Sequence, residues 1–225
     1  MNKNIIIIGA SSEFGISIAK NFQKRNINVY GIGRSRKNKA YSEYLEVENY
    51  ILDIKKITEF IGKLHKPIVI FLNGYLRENR PIYDPSKEEI EKTIEANLLV
   101  PVFITRFLLN EKISIYKFVF ISSMSAIKPR FKNYIYGLSK QWLEREIAGL
   151  TNDYLIFRFG MIKTSMSKDH SPAPFTLSKE KASLLLVKKI NRRGIIYPLF
   201  GLKLISYIIK VVPIKFLDRY EKFKG

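Results

Sequence analysis

Asn4-Ile5-Ile6-Ile7-Ile8 runs directly into Gly9-Ala10-Ser11-Ser12-Glu13-Phe14-Gly15, and from Phe14 to Lys24 apolar side chains recur at helical spacing. Four consecutive β-branched residues closed by a glycine predict a buried strand, and the small residues after it predict a tight turn into a helix. Such a turn lets the backbone approach a pyrophosphate, while the helix start offers N–H donors and the positive end of its dipole. The same turn also forms for close packing alone, so its meaning depends on the residues at the later strand ends. One lysine before four apolar residues imitates a secretory leader, but an h-region needs roughly 7–15.

Outward from this stretch, short apolar runs alternate with helical patterns. The expected strands are Asn4–Ile8, Asn28–Ile32, Asn49–Leu52, Pro67–Leu72, Lys117–Ser122 and Tyr154–Arg158. The expected helices are Phe14–Lys24, Ile54–Leu64, Lys87–Leu109, Tyr134–Ala148 and Ser178–Lys189, with a kink at Pro101 in the third. This alternation predicts an α/β fold: a Rossmann-like, doubly wound parallel sheet with helices on both faces, followed by an amphipathic helical tail. Residues 1–193 would form the dinucleotide-binding catalytic domain and residues 194–225 the basic tail.

The composition narrows the chemistry. With 225 residues, 46% of them hydrophobic, the chain suits one domain with a sizeable core. Zero cysteines exclude disulfides, thiol nucleophiles and cysteine-based zinc sites, and two histidines leave little for a metal centre. The net charge of +19 points to an anionic partner. From Lys188 onward, ten Lys/Arg stand against Asp218 and Glu221, interleaved with aliphatics and aromatics as in interfacial helices. No nucleic-acid recognition motif is visible. Ile195–Pro213 has the length of a membrane span, but Lys203 and Lys210 sit within it. As a helix, Leu202–Val212 would gather Lys203, Ser206, Tyr207 and Lys210 on one face.

The strand ends carry the polar groups. After the second strand, Gly33-Arg34-Ser35-Arg36 offers two cations where an NAD site wants an acid, so a 2′-phosphate on Arg34 and Arg36 makes NADP(H) preferred over NAD(H). Asp53-Ile54 and Asn73-Gly74 follow at two further strand ends, where adenine and ribose would lie. Tyr136-x-x-x-Lys140 places both side chains on one helical face, and Ser123 closes the strand before them. A nearby ammonium is expected to stabilise the phenolate and lower the tyrosine pKa, making it a general acid or base. A second copy of this spacing, Tyr220 to Lys224, lacks the preceding strand and serine. Asn97, four residues before Pro101, would orient a water against Lys140.

Taken in order, the Gly9–Gly15 turn, Asp53, Asn73-Gly74, Asn97, Ser123, Tyr136/Lys140 and Arg158-Phe-Gly-Met-Ile162-Lys-Thr164 resemble the compact branch of the short-chain dehydrogenase/reductases. The resemblance implies that Tyr136 exchanges a proton with the substrate oxygen, Ser123 hydrogen-bonds it, Lys140 binds the nicotinamide ribose and Asn97 holds a relay water. It also assigns cofactor contacts to Gly9, Ser11, Ser12, Phe14, Gly15, Arg34, Arg36, Asp53, Ile54, Asn73, Gly74, Ile162 and Thr164, besides Tyr136 and Lys140. Glu13 in place of the middle glycine, and Phe159 in place of a proline, depart from the family pattern.

Residues 164–178 and the basic tail are further similar to the decaprenylphosphoryl-2-keto-pentose reductases. That likeness implies reduction of a keto-sugar, carried on polyprenyl phosphate, at the inner face of the cytoplasmic membrane. It further implies a flavin oxidase partner, while the wider family resemblance implies pairing of copies through the helices bearing Asn97 and Tyr136. Reduction of another carbonyl or oxidation of an alcohol, and a non-catalytic dinucleotide-binding regulator, remain open alternatives.

Overall fold

The computed structural model describes residues 4–35, 39–76, 85–130, 133–168, 170 and 173–223. Seven parallel strands form one sheet in the order β3-β2-β1-β4-β5-β6-β9: β1 Asn4–Ile8, β2 Asn28–Gly33, β3 Glu43–Glu46, β4 Ile68–Phe71, β5 Lys117–Ser123, β6 Tyr154–Phe159 and β9 Gly194–Ile196. A second pair, β7 Ile162–Lys163 and β8 Leu177–Ser178, is also parallel.

The two-residue period of β1 shows how both faces are covered. Ile5 and Ile7 meet Phe14, Ile18 and Phe22 of α1 (Glu13–Gln23) and Ala182 and Leu186 of α6 (Lys179–Lys189). Ile6 and Ile8 point the other way, toward Ile57 and Phe60 of α2 (Ile54–Gly62), Ile104 and Leu108 of α4 (Val100–Asn110), and Leu143 and Ile147 of α5 (Tyr134–Leu150). All four isoleucines are buried, each worth about 1.5–3 kcal/mol of transfer free energy. An unbroken isoleucine run is what a strand buried on both faces requires. Strand order reverses beside β1, so the β1–α1 turn opens at the crevice where doubly wound sheets bind ligands.

Three expectations need correction. The third strand is Glu43–Glu46 rather than Asn49–Leu52. Asn49 Oδ1 accepts the N–H groups of Ile51 (2.8 Å) and Leu52 (3.1 Å), which curls that segment into a turn and leaves Leu52 exposed. β3 itself is a short edge strand with no buried residue, so it lacks the apolar signal of its neighbours.

The long helix also departs from a simple kink. α3 (Lys87–Ile94) continues through a π-turn, Glu95–Leu99, into α4, with Val100 N–H donating to Glu95 O. Pro101 has no N–H for the carbonyl four residues back, Asn97, and the widened turn sits there. Among the described residues, this Lys87–Asn110 helix is the one long and apolar enough to cross a bilayer, yet its Leu98, Val100, Ile104 and Leu108 are buried in the core.

In the tail, residues 194–196 supply the edge strand β9 paired to β6. They are followed by α7 (Phe200–Val211) and α8 (Ile214–Phe223). Ser206 turns inward with Leu202 instead of joining the lysine face, and its Oγ donates to Lys203 O (2.6 Å). Phe200, Leu204, Tyr207, Ile208 and Val211 face outward as one apolar stripe. Twelve residues span about 18 Å, too short for a hydrocarbon core of about 30 Å.

Candidate active site

The site grows from the carboxyl ends of β1, β4 and β5. Gly9 has φ +85°, and a Cβ there would lie 3.0 Å from Asn73 N and Leu72 C, so glycine is needed both for the turn and for the approach of β4. Gly9 and Ala10 N–H donate to Ile32 O. Ser12 caps α1: its Oγ accepts from Gly15 N (3.0 Å) and donates to Gly9 O (2.9 Å). Phe14 is buried edge-on against Phe159, with centroids 6.0 Å apart. This contact explains the phenylalanine at 159, which fills core space between α1 and β6.

β5 ends in Ser122-Ser123 and leads into a short 3₁₀ turn, Met124–Ala126, capped by Ser123 Oγ accepting from Ser125 N (3.1 Å). α5 can lie on this turn because residue 137 is glycine: a Cβ there would meet Ser125 O at 2.9 Å and Pro129 Cα at 3.0 Å. The close approach brings Tyr136 near enough to Ser123 for the serine to act on its titration. One turn along α5, Lys140 is buried, donates to Ile121 O (3.1 Å) and lies 5.9 Å from the Tyr136 ring centroid. The serine, tyrosine and lysine named from sequence therefore converge.

Their electrostatics differ from the expectation. Tyr136 keeps part of its surface accessible, yet burial pushes its phenol up to about 12, with the neighbouring Ser123 only partly opposing this. Lys140 is not among the groups that lower it. Burial instead brings Lys140 down to about 8, against the pull of the Glu144 carboxylate. Desolvation outweighs the neighbour's charge because the lysine is itself sunk in the protein. At neutral pH the pair thus holds a protonated phenol beside a charged ammonium, which is the state of a proton donor.

Behind this pair lies a buried network that composition did not reveal. Glu144 accepts from Ser122 Oγ (2.5 Å) and from Arg158 Nε (2.8 Å), and also pairs with Arg158 Nη2. Arg158 Nη1 donates to Tyr197 Oη (2.8 Å). It ties β5, α5 and β6 together one residue from Ser123 and one helical turn from Lys140. The signal available in sequence was Glu144 at i+4 from Lys140.

Asn97 is fully buried in the π-turn, which packs on α5. Its side chain serves the loop after β4: Nδ2 donates to Tyr75 O (2.7 Å) and Oδ1 accepts from Tyr75 N (3.2 Å). Among the described residues its side chain is bonded to Tyr75 rather than to Lys140. Gly74 lies directly beside it.

The remaining sequence candidates divide. Ser11, Ser12, Asn73 and Gly74 border the turn, and Arg34 stands exposed at the end of β2, close enough to Tyr50 to act on its titration. Arg36 lies outside the described residues. Asp53 is not at a strand end: it begins α2, and its carboxylate accepts from Glu48 N, Asn49 N and Lys56 Nζ. Ile54 is buried in the core. The acid ending β3 is Glu46, a position that the misplaced strand concealed. Ile162 and Thr164 sit in and just after β7, where Thr164 precedes a 3₁₀ turn at Ser165–Ser167.

The crevice suits a dinucleotide. Asn73 Oδ1 and Tyr44 Oη are buried without a hydrogen-bond partner among the described residues. Tyr44 lies over Gly31 and Gly33 at the end of β2. A buried acceptor and hydroxyl left unpaired beside a helix N-terminus are groups that a ribose–phosphate ligand would satisfy.

Comparison with known proteins agrees. Several solved structures share the fold. A short chain dehydrogenase from Burkholderia cenocepacia J2315 in complex with NADP has a TM-score of 0.77 at 15% identity, over 94% of this chain and 98% of that one. Thermoplasma acidophilum aldohexose dehydrogenase, ligand-free, has a TM-score of 0.72 at 17% identity, over 90% and 94%. ElxO with NADP bound has a TM-score of 0.72 at 17% identity, over 90% and 99%. No curated protein gives a significant sequence match. The family pattern described as short chain dehydrogenase matches residues 3–171, three quarters of the sequence, a span that includes Ser123, Tyr136 and Lys140. With the fold, the Ser123–Tyr136–Lys140 geometry and this match in agreement, the chain belongs to the short-chain dehydrogenase/reductase family of NAD(P)-dependent oxidoreductases.

Proposed function

We propose that this protein reduces a ketone with NADPH, with Tyr136 as the acid. The observation that carries the reading is the convergence of Tyr136 on Ser123 and on the buried Lys140, whose Nζ lies 5.9 Å from the Tyr136 ring centroid. When bound, the nicotinamide supplies a hydride to the carbonyl carbon. Ser123 Oγ then orients the carbonyl oxygen, Tyr136 Oη delivers its proton to that oxygen, and the Lys140 ammonium stabilises the phenolate left behind. Asn97 holds the 73–75 loop against the π-turn and keeps the floor of the crevice in place. Arg34 supports NADP(H) over NAD(H) by offering a cation to the 2′-phosphate, as do neighbours that bind NADP.

The substrate we infer is a keto-sugar carried on polyprenyl phosphate. Its support is the placement of α7. Leu202 lies against Gly160, and Phe175 packs on Gly201, so the outward stripe of Phe200, Leu204, Ile208 and Val211 borders the segment after β6. Lys203 and Lys210 flank that stripe, a pairing suited to anionic lipid. A flavin oxidase would supply the ketone by oxidising the matching alcohol. Exposed Leu99 in the π-turn, Phe103 on α4, and Leu138 and Trp142 on α5 support pairing of two copies.

Tyr136→Phe tests the core of this reading. NADPH-dependent ketone reduction is expected to be abolished while NADPH binding, followed by calorimetry, persists. Turnover retained in the variant would remove Tyr136 as the acid.

A further inference from the structure

Glu13 occupies the first helical position of α1, where the usual turn carries a glycine, and its charge is committed elsewhere in the fold. Oε1 accepts from Ser165 N (3.0 Å), and Oε2 pairs with Lys179 Nζ. These two partners belong to the two stems of one excursion. Ser165 opens the 3₁₀ turn just after β7, and Lys179 is the first residue of α6, just after β8. The stems are already joined by β7–β8 pairing, Lys163 opposite Ser178. One carboxylate therefore ties both stems to the turn that faces the crevice. Neighbouring contacts extend the tie, since Ser17 Oγ is 2.8 Å from Ser183 Oγ and Asn21 Nδ2 donates to Ser183 Oγ (2.7 Å).

We propose that Glu13 is a positioning residue which straps the 164–168 and 177–179 stems onto the β1–α1 turn and, with Lys179, sets the affinity for the cofactor pyrophosphate. It rests on the dinucleotide reading of the crevice. A carboxylate at a helix N-terminus competes for the same field that attracts a pyrophosphate. Lys179 neutralises that carboxylate, and the Ser165 N–H, an anion donor in its own right, is spent on it. The substitution thus exchanges pyrophosphate affinity for a loop fastened before any ligand arrives.

The opposing charges make the test signed. In Glu13→Gln, NADPH should bind about fivefold more tightly, because a negative charge is lost and Lys179 is released toward the phosphates. In Lys179→Met, binding should weaken about fivefold, because Glu13 is left uncompensated. The double variant should bind like the unaltered protein. Tryptic cleavage after Lys168, an exposed residue of the first stem, should be faster in all three variants. Calorimetry gives the affinities, and thermal melts verify folding. A purely structural Glu13 would weaken binding in both single variants, with additive losses; that result overturns the proposal, as does an unchanged affinity in either. Equal trypsin sensitivity in all four proteins overturns the strap alone. Failure of the unaltered protein to bind NADPH overturns the dinucleotide reading itself.

Discussion

Replacing Glu144 by Gln probes the network behind the Ser123–Tyr136–Lys140 cluster. Glu144 and Arg158 have side-chain exposures of 4% and 14%, so neither charge has water to turn to. Burial works against the Arg158 cation, but the Glu144 hydrogen bond and charge more than reverse this and hold it above its usual value. Removing one partner of a buried pair costs roughly 3–5 kcal/mol, because the other charge stays buried. Glutamine retains one acceptor and Tyr197 still receives Arg158, which places the expected loss near the lower end, about 3 kcal/mol. At about 2–4 °C per kcal/mol for a domain of this size, Tm should fall by about 6–12 °C. Urea unfolding at pH 7 should show a lower midpoint with an unchanged slope. Glu144→Leu combined with Arg158→Leu removes both charges and should cost less than the two single changes together. Loss of the Glu144 charge also removes what holds Lys140 up, so the alkaline limb of ketone reduction should move to lower pH. A Glu144→Gln variant within 1 kcal/mol of the unaltered protein (about 2–4 °C) would refute the reasoning.

The same geometry sets three further outcomes. Lys140 titrates near 8 in the fold against an ordinary 10.5, so between those pH values the unfolded chain binds more protons and stability rises with pH, while below 8 the burial penalty is fully present. Lys140→Met should shrink that slope, to which the lowered Lys117 and Lys189 also contribute, and gain about 3–4 kcal/mol at pH 7, less the lost bond to Ile121 O; urea titrations at pH 7 and 10 that leave the slope unchanged would contradict it. Arg34→Ala should weaken NADPH binding far more than NADH binding by calorimetry, and equal losses would remove the 2′-phosphate assignment. Changing Ile208 and Val211 together to glutamate should reduce cosedimentation with phosphatidylglycerol vesicles while leaving soluble ketone turnover intact; undiminished cosedimentation would exclude α7 as the lipid contact.

The parallel sheet was legible because its central strands are buried on both faces and so read as unbroken apolar runs, Ile5 to Ile8 above all. The convergence of Ser123, Tyr136 and Lys140 was legible because a helix turns a four-residue spacing into proximity, and because Ser123 ends the strand that feeds that helix. Edge elements were less legible. β3 and β9 bury little and carry no such run. The polar turn at Asn49 drew the third strand to the wrong side of itself, and Asp53 with it. The amphipathic tail could be named as a helix, but not which of its faces turned inward, since aliphatics surround most of it.

Local spacing thus set the strands, the β1–α1 turn and the Ser123, Tyr136 and Lys140 cluster from the chain alone. Tertiary packing decided the rest: the inward turn of Ser206, the commitment of Glu13 to Lys179 and Ser165, the Glu144–Arg158 pair, and the direction in which Tyr136 and Lys140 titrate. Each of these joins residues distant in sequence or depends on how deeply a charge is buried, and desolvation is a property of the assembled core. That is why the sequence brought Ser123, Tyr136 and Lys140 together, while the depth of burial decided the direction in which the phenol and the ammonium shift.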